Sequence, residues 1–350
     1  MAALREWFKE RIPVSGEQLR ELTNEPVPNH LKKWWFCLGG TAAYLFIMQL
    51  VTGILLAFYY QATPENAFAS VQYITDEVAF GWYLRSLHKW GSILMVAAVV
   101  LHQTRVYFTG AYRRPRELNW VIGMCLLFLT LVSGFTGYSL VFEQLSYWGA
   151  TVGSNIADSV PLVGNLMKQM LLGGETYNEH TLSRFFILHG AAMPVLIIAV
   201  FALHVAMIRL QGVTEFRDPA DEKAGKPKTF NFFPDHLLTE ILIGTVLMIL
   251  LSTLSTIFPA SMGEAADPLV TPEVIKPEWY FYVVFRWLKL FPASVALLTT
   301  GLVVFTMFAW PWIDGAIRKR RPGSEASVYI GILGVIAIIG LTIWEAVVKH

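Results

Sequence analysis

The sequence predicts an all-α, polytopic membrane protein with seven transmembrane helices. Three observations predict it. The 350 residues are 55% hydrophobic and 15% charged, with positive mean hydropathy, which is more apolar surface than a soluble fold of this size can hide. Uncharged runs recur at 34–61, 118–142, 185–208, 241–263, 290–313 and 326–344, each close to the roughly 20 residues that cross a bilayer core. The Lys and Arg residues between runs gather in alternate connections, as the retention of basic residues on one side of a membrane requires.

Taken in order, residues 1–33 form an N-terminal segment with Arg5, Lys9, Arg11, Arg20, Lys32 and Lys33. Its amphipathic stretch 4–14 is expected to lie on the inner membrane surface rather than to act as a cleaved signal. The first span, 34–61, is followed by a connection, 62–80, free of Lys and Arg. The second span, 90–104, is short between charges, but Arg85, Lys89 and Arg105 can snorkel at its ends. Arg113, Arg114 and Arg116 precede the third span, 118–142. The next connection, 143–183, holds one basic residue, Lys168, and two amphipathic pieces, 144–156 and 162–172. A loop that long and that apolar packs on something or covers a site.

After the fourth span, 185–208, the polar stretch 212–233 carries Arg217, Lys223, Lys226 and Lys228, with Asp218-Pro219, Gly225 and Pro227 as helix breakers. It divides a four-helix unit, 34–211, from a three-helix unit, 237–350, through an inner loop, 212–236. The fifth span is 241–263, and the Pro-, Gly- and acid-rich stretch 259–278 leads to the sixth, 290–313. Arg318, Lys319, Arg320 and Arg321 precede the seventh, 326–344. All the basic connections then share one side, with the N-terminus inside and the C-terminus outside. A net charge of +1 gives no reason to expect nucleic acid. The two cysteines, Cys37 and Cys125, both lie inside spans, so a disulfide framework is excluded.

Four histidines stand in two pairs on these spans: His88 with His102, and His189 with His204. Fourteen helical residues rise about 21 Å and return a side chain to within roughly 40° of its start. The fifteen-residue step of the second pair overshoots by about 60°. Two such helices face to face offer two bis-imidazole sites, one near each membrane surface, which is the geometry of two haems in series. Gly39 and Gly53 in the first span, and Gly123 and Gly137 in the third, repeat the fourteen-residue step. Glycine leaves room where a flat macrocycle approaches a backbone, although glycine also serves close packing between membrane helices.

The two His pairs, the two Gly pairs and the string Pro277-Glu278-Trp279-Tyr280 resemble cytochrome b of the quinol-oxidising cytochrome bc complexes. Phe36-Cys37-Leu38-Gly39-Gly40, Pro115-Arg116-Glu117-Leu118, Gly137-Tyr138-Ser139-Leu140 and Pro234-Asp235-His236-Leu237-Leu238 are most similar to the cytochrome b6 and subunit IV branch, here fused in one chain. The resemblance covers almost the whole sequence. It implies two b-type haems, one on His88 and His189 near the outer surface and one on His102 and His204 near the inner. It implies that Cys37 carries a c-type haem by a thioether beside the inner site. It also implies an outer quinol-oxidation site with Glu278 as proton acceptor and Tyr280 beside it, where the residues alone read as an interfacial aromatic belt.

Arg85 and Arg105 either pair with haem propionates or snorkel to lipid. Where the family usually has Pro-Trp after Gly137-Tyr138-Ser139-Leu140, this chain has Val141-Phe142 and then Glu143. Loss of the proline is expected to allow a longer third helix. Glu143 is either an auxiliary proton acceptor or a solvated helix end. Asp235, His236 and Arg209 are inner quinone-site candidates or surface charge.

The expected function is quinol oxidation with bifurcated electron transfer and proton translocation. The implied partners are a Rieske-type iron-sulfur subunit, a c-type cytochrome, the lipid of a bacterial inner membrane and a second copy of the complex. A di-haem membrane anchor of a dehydrogenase or hydrogenase is the alternative, and a proton-coupled transporter a more distant one.

Overall fold

The computed structural model describes residues 26–215 and 229–348; the stretch 4–14 and the Lys and Arg residues at 217–228 lie outside it. Among the described residues seven helices are long and apolar enough to cross a membrane, one for each run of the sequence. The first, Trp34–Ala57, opens with the 3-10 turn Trp34–Cys37 and continues as α1, Leu38–Ala57. The short α2, Ala67–Asp76, leads to α3, Gly81–Thr109. That second span is far longer than its uncharged stretch, because Arg85, Lys89 and Arg105 sit within the helix rather than bounding it.

The third span, α4, is Glu117–Ser139. It is not lengthened by the missing proline. The chain leaves the helix at Leu140, and Phe142, buried, takes a left-handed φ of 53°. The two amphipathic pieces form α5, Gln144–Asp158, and α6, Gly164–Leu172. The fourth span, α7, runs Glu179–Gln211 and contains a π-helical turn at Leu188–Ala192. The fifth, Phe232–Ile257, includes α8, Leu237–Ile257. A short helix α9, Tyr282–Leu290, precedes α10, Ala293–Arg320, and α11, Ala326–Val347.

Within the first four spans α1 packs on α3 and α4 on α7. The last three close around them, α8 against α1 and α3, α10 against α4, and α9 against α11. Two apolar clusters join the halves: Leu45, Leu87 and Met95 with Leu251, and Trp120, Met124 and Leu127 with Trp310. The lipid-facing sides stay apolar and exposed, as at Leu298, Phe305, Leu333 and Ile336, because no water is there to be avoided.

The basic connections meet at one end of the bundle. Strand β1, Pro26–Pro28, pairs antiparallel with β2, Thr229–Asn231. Arg113 Nε donates to Asp314 Oδ2 at 2.8 Å, and Arg116 Nε to the Gly212 carbonyl at 3.2 Å. His102 and His204 lie towards this end, and His88 and His189 towards the other.

Candidate functional site

The four histidines and four glycines that share a fourteen- or fifteen-residue step come together one to one. An ideal Cβ on Gly39 would lie 3.2 Å from His102 Cε1, on Gly53 3.2 Å from His88 Cε1, on Gly123 3.6 Å from His204 Cε1, and on Gly137 2.5 Å from His189 Cε1. The glycines therefore make room for the imidazoles themselves, which the sequence assigned to a macrocycle. The π turn explains the odd step in α7. A π bulge inserts one residue into an α-helix, so fifteen residues with one bulge place His204 under His189 much as fourteen place His102 under His88.

At the far end from the basic connections the His88 and His189 rings face each other, centroids 6.0 Å apart. His88 Nδ1 is 2.8 Å from Thr52 Oγ1, whose own proton goes to the Met48 carbonyl at 2.8 Å, so the hydroxyl accepts from Nδ1–H. His189 Nδ1–H donates to the Ser133 carbonyl at 2.9 Å. Both Nε2 atoms are thereby left as lone-pair donors, the outer-shell arrangement that orients metal-bound histidine. Two imidazoles on opposite sides of one metal, with bonds of about 2 Å, place their ring centres roughly 6 Å apart. The pair fits an iron between them.

His102 and His204 line a cavity of about 150 Å³ together with His30, Phe36, Arg105 and Gly123. Arg105 Nη2 is 3.3 Å from His102 Nδ1, and its guanidinium lies 5.5 Å from the Phe36 ring centre. Its Nε is buried without a hydrogen-bond partner among the described residues. A cation aimed into an apolar cavity with a donor to spare fits an anionic group such as a propionate. His30 is held at about 4 by burial, with Arg105 adding to the effect, so it lines the cavity as a neutral ring.

Arg85 is used differently from either expectation. It lines the larger cavity, but its guanidinium donates to the carbonyls of Ala260 at 2.7 Å and Ser261 at 2.9 Å, and to Thr75 Oγ1 at 3.2 Å. The stretch following α8 folds back over the end of α3, and its carbonyls need donors.

That larger cavity, about 310 Å³, holds His88 and His189 together with Tyr138, Glu143, Glu278 and Tyr280. Glu278 stands just before the 3-10 turn Trp279–Phe281 and after Pro277, its side chain making no capping hydrogen bond to the turn. Burial pushes its carboxyl above the usual carboxylate range, with Lys89 opposing and Glu143 adding to the shift. Burial, then the charge of Glu278, raises the Tyr280 phenol. Gly134 admits that ring, since a Cβ there would lie 3.0 Å from Tyr280 Oη.

Glu143 is a structural cap. It stands at the N-terminus of α5 in a capping box with Ser146, and its Oε2 accepts from the Gly263 amide at 2.7 Å. The Glu143 carboxylate thus ties the start of α5 to the stretch that follows α8.

Cys37 is 1% exposed, and its Sγ donates to the Leu31 carbonyl at 3.5 Å. It lies between Phe36 of the smaller cavity and Gly39, which abuts His102. The donor atoms of Cys37, His236 and Glu240 fall within 4.8 Å of one another. Cys125 is half-buried in α4.

Thr52, Ser133, His30 and Gly134 escaped the sequence reading. Thr52 is adjacent to Gly53, and Gly134 follows Ser133 one turn before Gly137, but Ser133 contributes a backbone oxygen that no side-chain pattern reports.

Comparisons with known proteins identify what the chain is similar to. Residues 22–212 match the family described as cytochrome b/b6/petB, and residues 265–348 the one described as cytochrome b (C-terminal)/b6/petD. The chain is 48% identical over 209 residues to cytochrome b6 of Heliomicrobium gestii, covering 60% of this chain and 98% of that protein. It is 35% identical over 340 residues to the cytochrome bc complex cytochrome b subunit of Chlorobaculum thiosulfatiphilum, covering 95% of this chain and 78% of the relative. A chain of the solved hyperthermophilic respiratory Complex III shares the fold with a TM-score of 0.78 at 24% identity, over 97% of this chain and 96% of that one.

Proposed function

The chain belongs to the cytochrome b/b6 family, with a b6-like part and a subunit IV-like C-terminal part in one polypeptide, and from that premise we propose the reaction its residues carry out. As a cytochrome b subunit of a bc-type complex it is an integral, multi-pass membrane component of an oxidoreductase, and the family implies b-type haems. The proposed reaction is bifurcated quinol oxidation on the outer side, linked to quinone reduction on the inner side and to proton translocation.

The residues proposed to hold the haems are His88 with His189, and His102 with His204, seated against Gly53, Gly137, Gly39 and Gly123. Each b-type haem, when bound, supplies a one-electron acceptor and donor. The two histidines of α3 are separated by about 21 Å of helix, so the two pairs would hold such carriers towards opposite membrane faces. Arg105 is proposed to pair with a propionate. Cys37 is proposed to hold a c-type haem by a thioether beside the inner pair, with His236 and Glu240 next to its sulfur.

The observation that carries the reading is the cavity shared by Glu278 and the His88/His189 pair. Quinol must lose its protons where it loses its electrons. The Glu278 carboxylate takes a proton from a quinol hydroxyl and, at the end of a loop, delivers it outward. Tyr280, Tyr138 and Phe186 line the pocket with aromatic surface. A di-haem anchor has no use for a carboxylate in that cavity.

Residues 34–211 are proposed as the haem-binding domain and 237–350 as the C-terminal domain, joined by the inner loop 212–236. The complex is proposed to sit as a dimer in a bacterial inner membrane with the basic connections inside. A Rieske-type iron-sulfur subunit takes the other quinol electron and passes it to a c-type cytochrome. In the test, Glu278→Gln keeps both b-haem optical bands and slows quinol oxidation by about ten- to a hundredfold, the usual worth of a positioned base. Full turnover in that variant rejects the reading.

A further inference from the structure

The last turn of α11 carries a carboxylate that the reaction does not account for. Glu345 is completely buried at the end of an apolar span. A buried ionisable group at a membrane span is costly and persists where cations face it. Here they come from one segment. Lys289 Nζ is 3.5 Å from Glu345 Oε1 and Arg286 Nη1 3.7 Å from Oε2, both on α9. The Arg286 guanidinium also lies 4.0 Å from the Trp344 ring centre. Lys276 Nζ donates to the Glu345 carbonyl at 2.9 Å and the Val348 carbonyl at 2.8 Å, where a helix C-terminus favours a cation.

Lys276 immediately precedes Pro277-Glu278, and Arg286 follows Tyr280 by six residues. The stretch with the proposed proton acceptor is thus fastened on both sides to one residue of the last helix. We propose that Glu345 is a positioning residue for outer-site quinol oxidation, holding Glu278 and Tyr280 at the His88/His189 cavity through Lys276, Arg286 and Lys289. The inference rests on the assignment of Glu278 made above.

The test measures quinol oxidation by the intact complex carrying Glu345→Gln, alone and combined with Glu278→Gln. Glu345→Gln is expected to raise the quinol KM and lower kcat, together costing about ten- to a hundredfold in kcat/KM, the scale of a small misplacement of reacting groups. Both b-haem midpoint potentials stay unchanged. Because Glu345 acts through the stretch that carries Glu278, the losses in the double variant are expected to be less than multiplicative. Asp314→Asn, which removes a buried carboxylate at the opposite end of the molecule, leaves the quinol KM unchanged and so controls for a general loss of rigidity.

Should Glu345→Gln not assemble, Lys276→Met replaces it. That variant leaves the carboxylate paired on α9, and the same rise in KM is expected, with recovery in Lys276→Arg. Wild-type kcat/KM in these single variants, or losses that multiply in the double variant, overturn the inference. Full turnover in Glu278→Gln instead overturns the assignment on which it rests.

Discussion

Gly137 lies so close to His189 that a methyl group on its Cα would stand 2.5 Å from the imidazole Cε1. No real side chain is accommodated at that distance without moving the ring or the helix. Gly137→Val is therefore expected to lose the haem at the His88/His189 pair while the one at His102/His204 stays. Gly123→Ala, where the new carbon would meet His204 at 3.6 Å, an ordinary contact, is expected to keep both. Haem stoichiometry and reduced optical spectra of the purified complexes check the order; equal retention in both variants contradicts it.

The Thr52 hydroxyl accepts from His88 Nδ1–H at 2.8 Å. Removing it in Thr52→Val makes the imidazole a poorer electron donor and leaves a buried N–H without its partner. The oxidised iron loses more stabilisation than the reduced one, so the midpoint potential rises. A net hydrogen bond of about 1 kcal/mol corresponds to roughly 40 mV for one electron. A redox titration followed at the α band measures it. A fall in potential would mean that Nδ1 is not the donor.

The Glu278 carboxyl titrates above the usual carboxylate range because burial disfavours its charge. Only the ionised form accepts a proton. Quinol oxidation is therefore expected to rise with pH through an apparent pKa above the ordinary value of about 4.3, and to fall as pH drops through it. In Glu278→Gln this acid limb disappears. A limb that persists in the variant assigns it to another group.

Deletion of Ala191 removes the residue that the π turn at Leu188–Ala192 accommodates. The step from His189 to His204 then becomes fourteen in an unbroken α-helix, matching α3. The variant is expected to retain both haems, whereas inserting a residue there is expected to lose one. Loss of a haem in the deletion would show that the bulge serves more than registry.

Much of this architecture was legible because it is periodic. The fourteen-residue steps of His88/His102, Gly39/Gly53 and Gly123/Gly137 survive in any straight helix, and the alternation of basic connections reports topology directly. What stayed hidden depends on backbone atoms or on departures from regular geometry. The π turn obeys no α period. The end of α4 is set by a left-handed Phe142, not by a proline. Arg85 spends its donors on the carbonyls of Ala260 and Ser261, which no residue pattern announces. Glu345 falls just beyond the uncharged run 326–344, and its partners Lys276, Arg286 and Lys289 lie more than fifty residues away in sequence.

The stacked bis-histidine sites are tested by the redox-titrated optical spectrum of the complex carrying single histidine substitutions. His88→Ala and His189→Ala are each expected to remove the same b-type component, and His102→Ala and His204→Ala the other one. Retention of both components in any of the four variants, or loss of different components within one pair, would contradict the stacked bis-histidine sites.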